Sequence, residues 1–435
     1  MNFISSCHLS WLAISTATNQ QNCLAYWSTM KSTTSSTPRF FTDPQIDFTP
    51  RTYKENKRKR GTEPEHRSQN FVLHSASLKW HVKVTFQGTL QSVQTATFAS
   101  ITKRREDLEN LFLCIDLNHL QLLDDTVTEL IIMRQDDATA VQGQRLHLKS
   151  ALDPGSEYAP IVAHLWLSIR EDPLRVRFPI YNSSSGGIAT KDWSEISKER
   201  ELWTGVYEVL VEEKSYVYKE VDKPPNYEVR DSEVLEQELR TLELLRGTEG
   251  IVQLVAAVIS ENPYRTAKII KDDSSTVLRG ILLEYHPYGT LRDVLRPRKH
   301  NTEWPLHRWA VQITRALQKL HQAGVTHMDL KPENVVISAE LNAILIDVSG
   351  CEASQGSLSP EMRDLPDPLS RTMDSRKQND VWALGKMISE MANASHNYME
   401  KQLLRGVALG AMSNISTRIS LQDAICKLSI APTSK

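Results

Sequence analysis

Apolar and polar residues change rhythm three times along this chain of 435 residues. Residues 1 to about 70 show little periodicity and are rich in Ser, Thr, Asn and Gln, including Ser32-Thr33-Thr34-Ser35-Ser36-Thr37-Pro38. A segment so poor in patterned apolar surface is expected to be a disordered polar arm, 1–70. Between 71 and 182, short β-prone runs at 80–86, 129–133 and 175–180 are separated by polar turns, which predicts a small β-rich domain. Ser183-Ser184-Ser185-Gly186-Gly187 opens an expected linker, 183–202. From 203 to 435 the signals alternate between strand and helix. Strands are predicted at 206–211 and 216–221, then a helix with Leu235, Leu239, Leu242 and Leu245 on one face, then buried strands at 251–259 and 281–285. Trp309, Ile313, Leu317 and Leu320 keep the 3.6-residue period of a core helix, as does the apolar spacing after Asp380. The expected fold class is α+β, with a small β-sheet lobe carrying one helix, a mainly helical lobe after it, and a loop near 329 between them.

Composition adds limits rather than identity. Hydrophobic residues make up 40% and charged residues 24%, ordinary for globular domains, so a sizeable core is available. Lys plus Arg number 51 against 53 Asp plus Glu, a formal charge of −2, so no global basic field points to nucleic acid or anionic lipid. The five cysteines are odd in number and scattered, without a C-x-x-C pair, which favours a reducing compartment over zinc or disulfide chemistry. No apolar run approaches the roughly 20 residues of a membrane span, and the mildly apolar start lacks a basic n-region. An intracellular protein is expected, cytoplasmic or nuclear, with Lys57-Arg58-Lys59-Arg60 as a weak import signal. His74, His81, His119, His147 and His164 are dispersed and read as ordinary histidines rather than metal ligands.

The chemistry is concentrated in Thr326-His327-Met328-Asp329-Leu330-Lys331-Pro332-Glu333-Asn334, with Asp347 thirteen residues after Asn334. Asp329 can accept a hydroxyl proton, and Lys331 can neutralise a transferred phosphoryl group. Asn334 and Asp347 are oxygen ligands spaced to hold Mg²⁺ against the β- and γ-phosphates of ATP.

This stretch, and the motifs around it in their order, resemble the eukaryotic-type protein kinases of the serine/threonine class. The resemblance covers roughly residues 203 to 430 and is similar to the divergent kinase-like proteins found in fungi. It implies a bilobal kinase fold. It places Lys219, in Tyr216-Val217-Tyr218-Lys219, where a strand lysine meets the α- and β-phosphates, and Glu238 where a helix glutamate holds that lysine. The residues agree independently: Glu238 lies on the apolar stripe of its helix between Leu235 and Leu242, where an unpaired carboxylate is costly, so it needs a cation. Glu284-Tyr285-His286, after Leu283, resembles the hinge that receives adenine, with Leu283 guarding the back of the pocket and Val217 and Val336 enclosing the ring. Ser359-Pro360-Glu361 resembles the triplet closing the activation segment, and Arg418 the arginine that pairs with its glutamate. If buried, breaking that pair from one side would cost ~3–5 kcal/mol.

Five features depart from the family pattern. Trp203-Thr204-Gly205-Val206-Tyr207-Glu208-Val209 carries one glycine where a glycine-rich phosphate cover is usual, which predicts weaker or differently shaped nucleotide binding. Asp347-Val348-Ser349-Gly350 keeps the metal ligand but replaces an aromatic with valine, expected near Leu242 and His327. Met328 stands where regulated kinases have an arginine that receives a phosphate. Thirteen residues separate Asp347 from Glu361, too few for a long regulatory loop, and the tail after Gly385 is short.

The leading expectation is ATP- and Mg²⁺-dependent phosphoryl transfer to serine or threonine hydroxyls of a protein substrate, with no nucleic-acid or membrane partner. The alternative is a pseudokinase acting as a binding module. A small-molecule phosphotransferase fits less well, since such enzymes usually lack a lysine at the position of Lys331.

Overall fold

The computed structural model describes residues 41, 44–56, 62–88, 99–118, 120–134, 143–149, 158–182, 187–223, 227–267, 276–296 and 304–429. The chain divides into two units, Met1–Glu171 and Asp172–Lys435, so the division falls after Glu171 rather than at 182. Lys57-Arg58-Lys59-Arg60 and most of the Ser183 to Gly187 patch lie outside the described residues. Among the described residues, no helix is long and apolar enough to cross a membrane.

The first unit is built on a sheet of β1 (Gln45–Phe48), β2 (Lys54–Glu55), β3 (His66–Ser75), β4 (Leu78–Gln87), β5 (Val127–Arg134), β6 (Gln144–Arg145) and β7 (Leu165–Glu171). Its order is β1-β3-β4-β5-β7-β6, with β2 also on β3, and only β4 and β5 run parallel. The crossover between those two contains helix α1 (Ile101–Leu113), whose first turn is capped by Ser100 accepting from the Lys103 amide. Leu108, Leu111 and Phe112 of α1 are buried in one core with Trp80, Val82, Val84 and Phe86, the inward positions of β4. A short helix, α2 (Ala159–Val162), precedes β7.

The expected arm is therefore corrected over its second half, because β1, β2 and the start of β3 all fall within 44–70. Phe41 packs edge-on to Trp80 at 5.3 Å between centroids, and Phe48 to Phe71 at 5.7 Å. The strand signal was hidden in β3, where the inward positions read Arg67, Gln69, Phe71, Leu73 and Ser75. Three of those five are polar, so apolar periodicity fails although the alternation of burial is regular. Arg67 is buried because Glu63 receives its guanidinium at 3.1 Å. The run at 175–180 is corrected as well. It is not a strand of this unit: Ile180 forms an isolated bridge with Val277, and Pro179 accepts from the Leu278 amide, both in the second unit.

The second unit has the bilobal architecture expected. Its sheet comprises β8 (Thr190–Asp192), β9 (Ser197–Trp203), β10 (Val206–Val211), β11 (Lys214–Glu220), β12 (Leu254–Glu261) and β13 (Thr276–Glu284), in the order β8-β12-β13-β11-β10-β9. The expected linker thus supplies both outer strands. Helix α3 (Val229–Leu244) turns Leu235, Leu239 and Leu242 into the core, as the leucine spacing requires. Gly280 sits in β13 where a Cβ would come within 2.4 Å of the Lys219 carbonyl, so any side chain there would displace the strand that carries Lys219.

After β13 come α4 (Leu291–Leu295), α5 (Leu306–Gln322), β14 (Val335–Ile337), β15 (Ala343–Leu345), α6 (Pro360–Arg363), α7 (Met373–Ala394), α8 (Tyr398–Ala411) and α9 (Leu421–Leu428). The face of α5 bearing Trp309, Ile313, Leu317 and Leu320 is buried against this helical core. Each such side chain contributes roughly 1.5–3 kcal/mol on burial. The helices α5 and α7 are the frame on which the loop around Asp329 is hung.

Candidate active site

The loop from Thr326 to Asn334 joins α5 to β14 and is held from below by Asp380 of α7, a fully buried carboxylate. Asp380 accepts the backbone N–H of His327 at 2.7 Å and of Met328 at 2.8 Å, and its Oδ2 lies 2.8 Å from His321 Nε2. These bonds hold Met328 at φ +64°, a left-handed conformation that costs a non-glycine residue ~1–2 kcal/mol. The turn presents Asp329 to the opposite side.

Both oxygens of Asp329 are engaged. Oδ2 is paired with Lys331 and receives Asn334 Nδ2 at 3.3 Å, while Asn334 also donates to the Asp329 carbonyl at 2.9 Å. Oδ1 receives the hydroxyls of Ser354 and Ser357, the latter at 2.8 Å, and the Ser354 amide at 3.2 Å. Burial alone would raise the pKa of this carboxyl. Hydrogen bonds from Lys331 and Ser354, with the Lys331 charge, outweigh it and hold Asp329 below its ordinary value.

On the sheet, Lys219 of β11 places Nζ 2.5 Å from Glu238 Oε2 and 2.8 Å from Asp347 Oδ1. The expected cation for Glu238 is therefore Lys219, and Glu238 is fully buried on α3. Two carboxylates surround one ammonium, so they do not titrate alike. Burial raises Glu238 to about 7 against the pull of Lys219, and Asp347 adds repulsion. Asp347 goes the other way: burial opposes its ionisation, but Lys219 outweighs burial and holds it low, with His327 and Lys331 acting in the same direction. Lys331 thus acts electrostatically on Asp329 and Asp347 alike. Lys219 keeps its proton well above the ordinary lysine range, the two carboxylates overcoming desolvation.

The remaining predicted residues line the sheet side. Val217 of β11 stands opposite Leu283 of β13, and Tyr216 opposite Glu284, where β13 ends and His286 follows. Val336 of β14 forms a bridge with Thr290 just beyond that exit. Burial lowers the pKa of His286, with Glu284 and Glu340 pulling it back. Thr204-Gly205 forms a two-residue turn between β9 and β10, with Gly205 at φ +75° and Trp203 78% exposed. Val348 is fully buried in the same core as Leu242.

An ATP–Mg²⁺ fit can be judged from the donors present. Asn334 spends its amide N–H on Asp329, which leaves its oxygen free to turn to a cation. Asp347 is 36% exposed and ionised. One carboxylate and one amide oxygen suit a hard divalent ion that takes its other ligands from phosphates and water. Among the described residues, no cluster of three or more His, Cys, Asp or Glu side chains could hold a metal by itself.

The segment from Asp347 to Glu361 is fastened along its length by residues that sequence reasoning did not single out. Arg230 of α3 donates to the Cys351 carbonyl at 2.7 Å, Arg376 of α7 to the Gly350 carbonyl at 2.7 Å, and Lys386 of α7 to the Gly356 carbonyl at 2.7 Å. Side chains that bind backbone carbonyls leave no sequence motif. Ser354 and Ser357, whose hydroxyls meet Asp329, carry no sequence motif of their own either. The Glu361–Arg418 pair forms at 2.6 Å, but while Arg418 is 1% exposed, Glu361 is 34% exposed. Arg418 also donates to the Gln378 carbonyl at 3.0 Å, so the loss of Glu361 costs less than the ~3–5 kcal/mol of a wholly buried pair.

The chain has relatives among known proteins. A family model of the protein kinase domain matches residues 204–424. The chain is 29% identical over 174 residues to mitogen-activated protein kinase kinase kinase 17 of Arabidopsis thaliana, covering 39% of this chain and 44% of that protein. It is 27% identical over 222 residues to serine/threonine-protein kinase WNK4 of Homo sapiens, covering 48% of this chain and 18% of the relative. It is 30% identical over 154 residues to serine/threonine-protein kinase STE20 of Eremothecium gossypii, covering 33% and 16%. The chain spans less than half the length of each of these relatives.

Proposed function

The chain belongs to the protein kinase domain family, and from that premise we propose that it transfers the γ-phosphoryl group of ATP to serine or threonine hydroxyls of protein substrates. The observation that carries this reading is Asp329, an ionised carboxylate turned out of a left-handed loop with Lys331 on one of its oxygens. Asp329 orients the acceptor hydroxyl and takes up its proton as the new O–P bond forms. Lys331 faces the charge that develops on the transferred group. Lys219, aimed by Glu238, would hold the α- and β-phosphates, and Asn334 and Asp347 would supply protein oxygens to Mg²⁺, which when bound would neutralise phosphate charge. Val217, Leu283 and Val336 offer an apolar slot for adenine, with Glu284 and His286 at its rim. Most of the rate acceleration then comes from positioning and electrostatics.

The short Thr204-Gly205 turn offers few backbone N–H groups to phosphate, which lowers affinity for nucleotide rather than removing the chemistry. An intracellular location, in cytoplasm or nucleus, accords with ATP as the donor. The test is a thermal shift with ATP and Mg²⁺ followed by transfer of labelled phosphate to a protein acceptor. Asp329→Asn should retain the shift and lose transfer by ~10²–10⁴-fold. Equal incorporation by both proteins removes Asp329 as the base; none by either removes the enzymatic reading, and a retained shift then leaves a nucleotide-binding module.

A further inference from the structure

The run at 175–180 belongs to the second unit, where residues 177–181 join α3 to β13. At the α3 end, three polar groups close a ring. The Arg177 amide donates to the Tyr227 hydroxyl oxygen at 2.8 Å, that oxygen lies 3.0 Å from Ser232 Oγ, and Ser232 Oγ donates to the Arg177 carbonyl. Ser232 has one proton and the carbonyl takes it, so Tyr227 donates the bond between the two hydroxyls. Ser232 is 5% exposed and lies near the start of α3, so the ring fastens the backbone of Arg177 to that helix.

At the other end the same segment is built into the sheet. Pro179 accepts the Leu278 amide at 2.8 Å, the Tyr181 amide donates to the Thr276 carbonyl at 3.0 Å, and Ile180 bridges Val277. β11 pairs with β13 from Gly280 to Glu284, and β12 takes the other edge of Thr276 to Leu278, so the segment fills ladder positions that β11 leaves open. Phe178 is gripped there too. The guanidinium of Arg279, a residue 9% exposed, stands 4.8 Å from the centre of the Phe178 ring and 4.6 Å from that of Trp193. Removal from water strengthens such cation–π contacts.

β13 pairs through Ile281 with Lys219, and α3 carries Glu238. The segment therefore ties the helix that bears the carboxylate to the sheet that bears the ammonium. Lys223 pairs with Asp231 at 2.9 Å and Arg230 reaches the Cys351 carbonyl, so the first turn of α3 is held from other directions as well. The fastening through Arg177 is the one that runs to β13.

Resting on the phosphoryl-transfer reading, we propose that residues 177–181 are a strap that sets the distance between α3 and the sheet, with Tyr227 and Ser232 as positioning residues acting through it on the Glu238–Lys219 pair. The strap precedes the kinase-matched stretch at 204–424, so the small lobe of this chain is completed by residues outside that stretch.

The experiment measures steady-state transfer of labelled phosphate by the full chain as wild type, Tyr227→Phe, Phe178→Leu, Glu238→Gln and the two double variants with Glu238→Gln. Tyr227→Phe keeps the ring and loses the link between Arg177 and Ser232. Its kcat/KM for ATP should fall about fivefold, with KM for the protein acceptor within about twofold of wild type. Phe178→Leu should give the same split. In the Glu238→Gln background, either substitution should change kcat/KM for ATP by less than about twofold, because the pair on which the strap acts is already broken. Effects that multiply in that background, or single variants that lose Tm while keeping kcat/KM for ATP, reduce the segment to a packing role and overturn the proposal while the phosphoryl-transfer reading stands. A wild-type protein that transfers no phosphate removes that reading and this inference with it.

Discussion

Glu238 is fully buried on α3, and its Oε2 lies 2.5 Å from Nζ of Lys219, the side chain that also reaches Asp347. With one ammonium serving two carboxylates, the stability of this cluster depends on pH in a way that Lys219→Met exposes. In the wild type, the folded-state pKa of Lys219 is raised. Its contribution is therefore fully present below the unfolded lysine value and is lost only as pH rises through the folded one. Without Lys219, Glu238 loses the charge that restrains its rise, and its pKa, already about 7 from burial, climbs further. Below that pKa the variant carries a neutral carboxyl; above it, a buried charge without a partner. The difference in unfolding free energy between wild type and Lys219→Met should widen from about pH 6 to about pH 9, approaching ~3–5 kcal/mol at the alkaline end. A gap independent of pH would show that Lys219 does not compensate Glu238.

Gly280 controls the same lysine from behind. A Cβ at this position meets the Lys219 carbonyl at 2.4 Å and the Tyr218 ring at 2.4 Å, and strand backbone cannot swing aside as a side chain can. Gly280→Ala should destabilise the second unit by ~1–3 kcal/mol and also weaken the thermal shift given by ATP and Mg²⁺. An exposed control such as Gly247→Ala, where no atom lies within 4 Å of the new Cβ, should lose stability only through its left-handed φ of +74° and leave the nucleotide shift intact. Equal nucleotide shifts in the two variants would disconnect Gly280 from Lys219.

Met328 is fully buried with Leu358 and Met362 in a small apolar cluster, so the position that would otherwise receive a phosphate is built to exclude charge. The nearest modifiable hydroxyl, Ser354, already lies on the Asp329 carboxylate. A second negative charge there faces the first, with Met328 rather than an arginine beside Asp329 in the loop, and like charges at such separation disfavour each other's ionisation. Ser354→Asp should lower the rate of phosphoryl transfer severalfold, measured at saturating ATP. A severalfold rise would mean that the segment is switched on by phosphorylation after all.

The loop around Asp329 and Asp347 itself were legible because their spacing is local, whereas Lys219 and Glu238 were placed by the resemblance of successive motifs to a known family, with Glu238 also marked by its position on an apolar stripe. Element type in the second unit followed from periodicity, and β10 coincides with the predicted 206–211. The first unit was less legible. In β3 the inward positions include Arg67 and Gln69, made tolerable in the interior by partners and hydrogen bonds that no periodicity detects, so a real strand read as polar arm. The run at 175–180 looked like a strand by composition, yet it bridges residues some hundred positions later, and pairing at that distance has no local signature.

From the order of residues alone came a candidate proton acceptor, a lysine beside it, two candidate oxygen ligands and the two-lobed α+β architecture, since side-chain chemistry and apolar period are properties of short stretches. Which groups Asp329 touches was decided only in three dimensions. Asn379 and Asp380 are adjacent in the chain but hold two segments about thirty residues apart. Each of those buried contacts has meaning only once α7 has packed into the core.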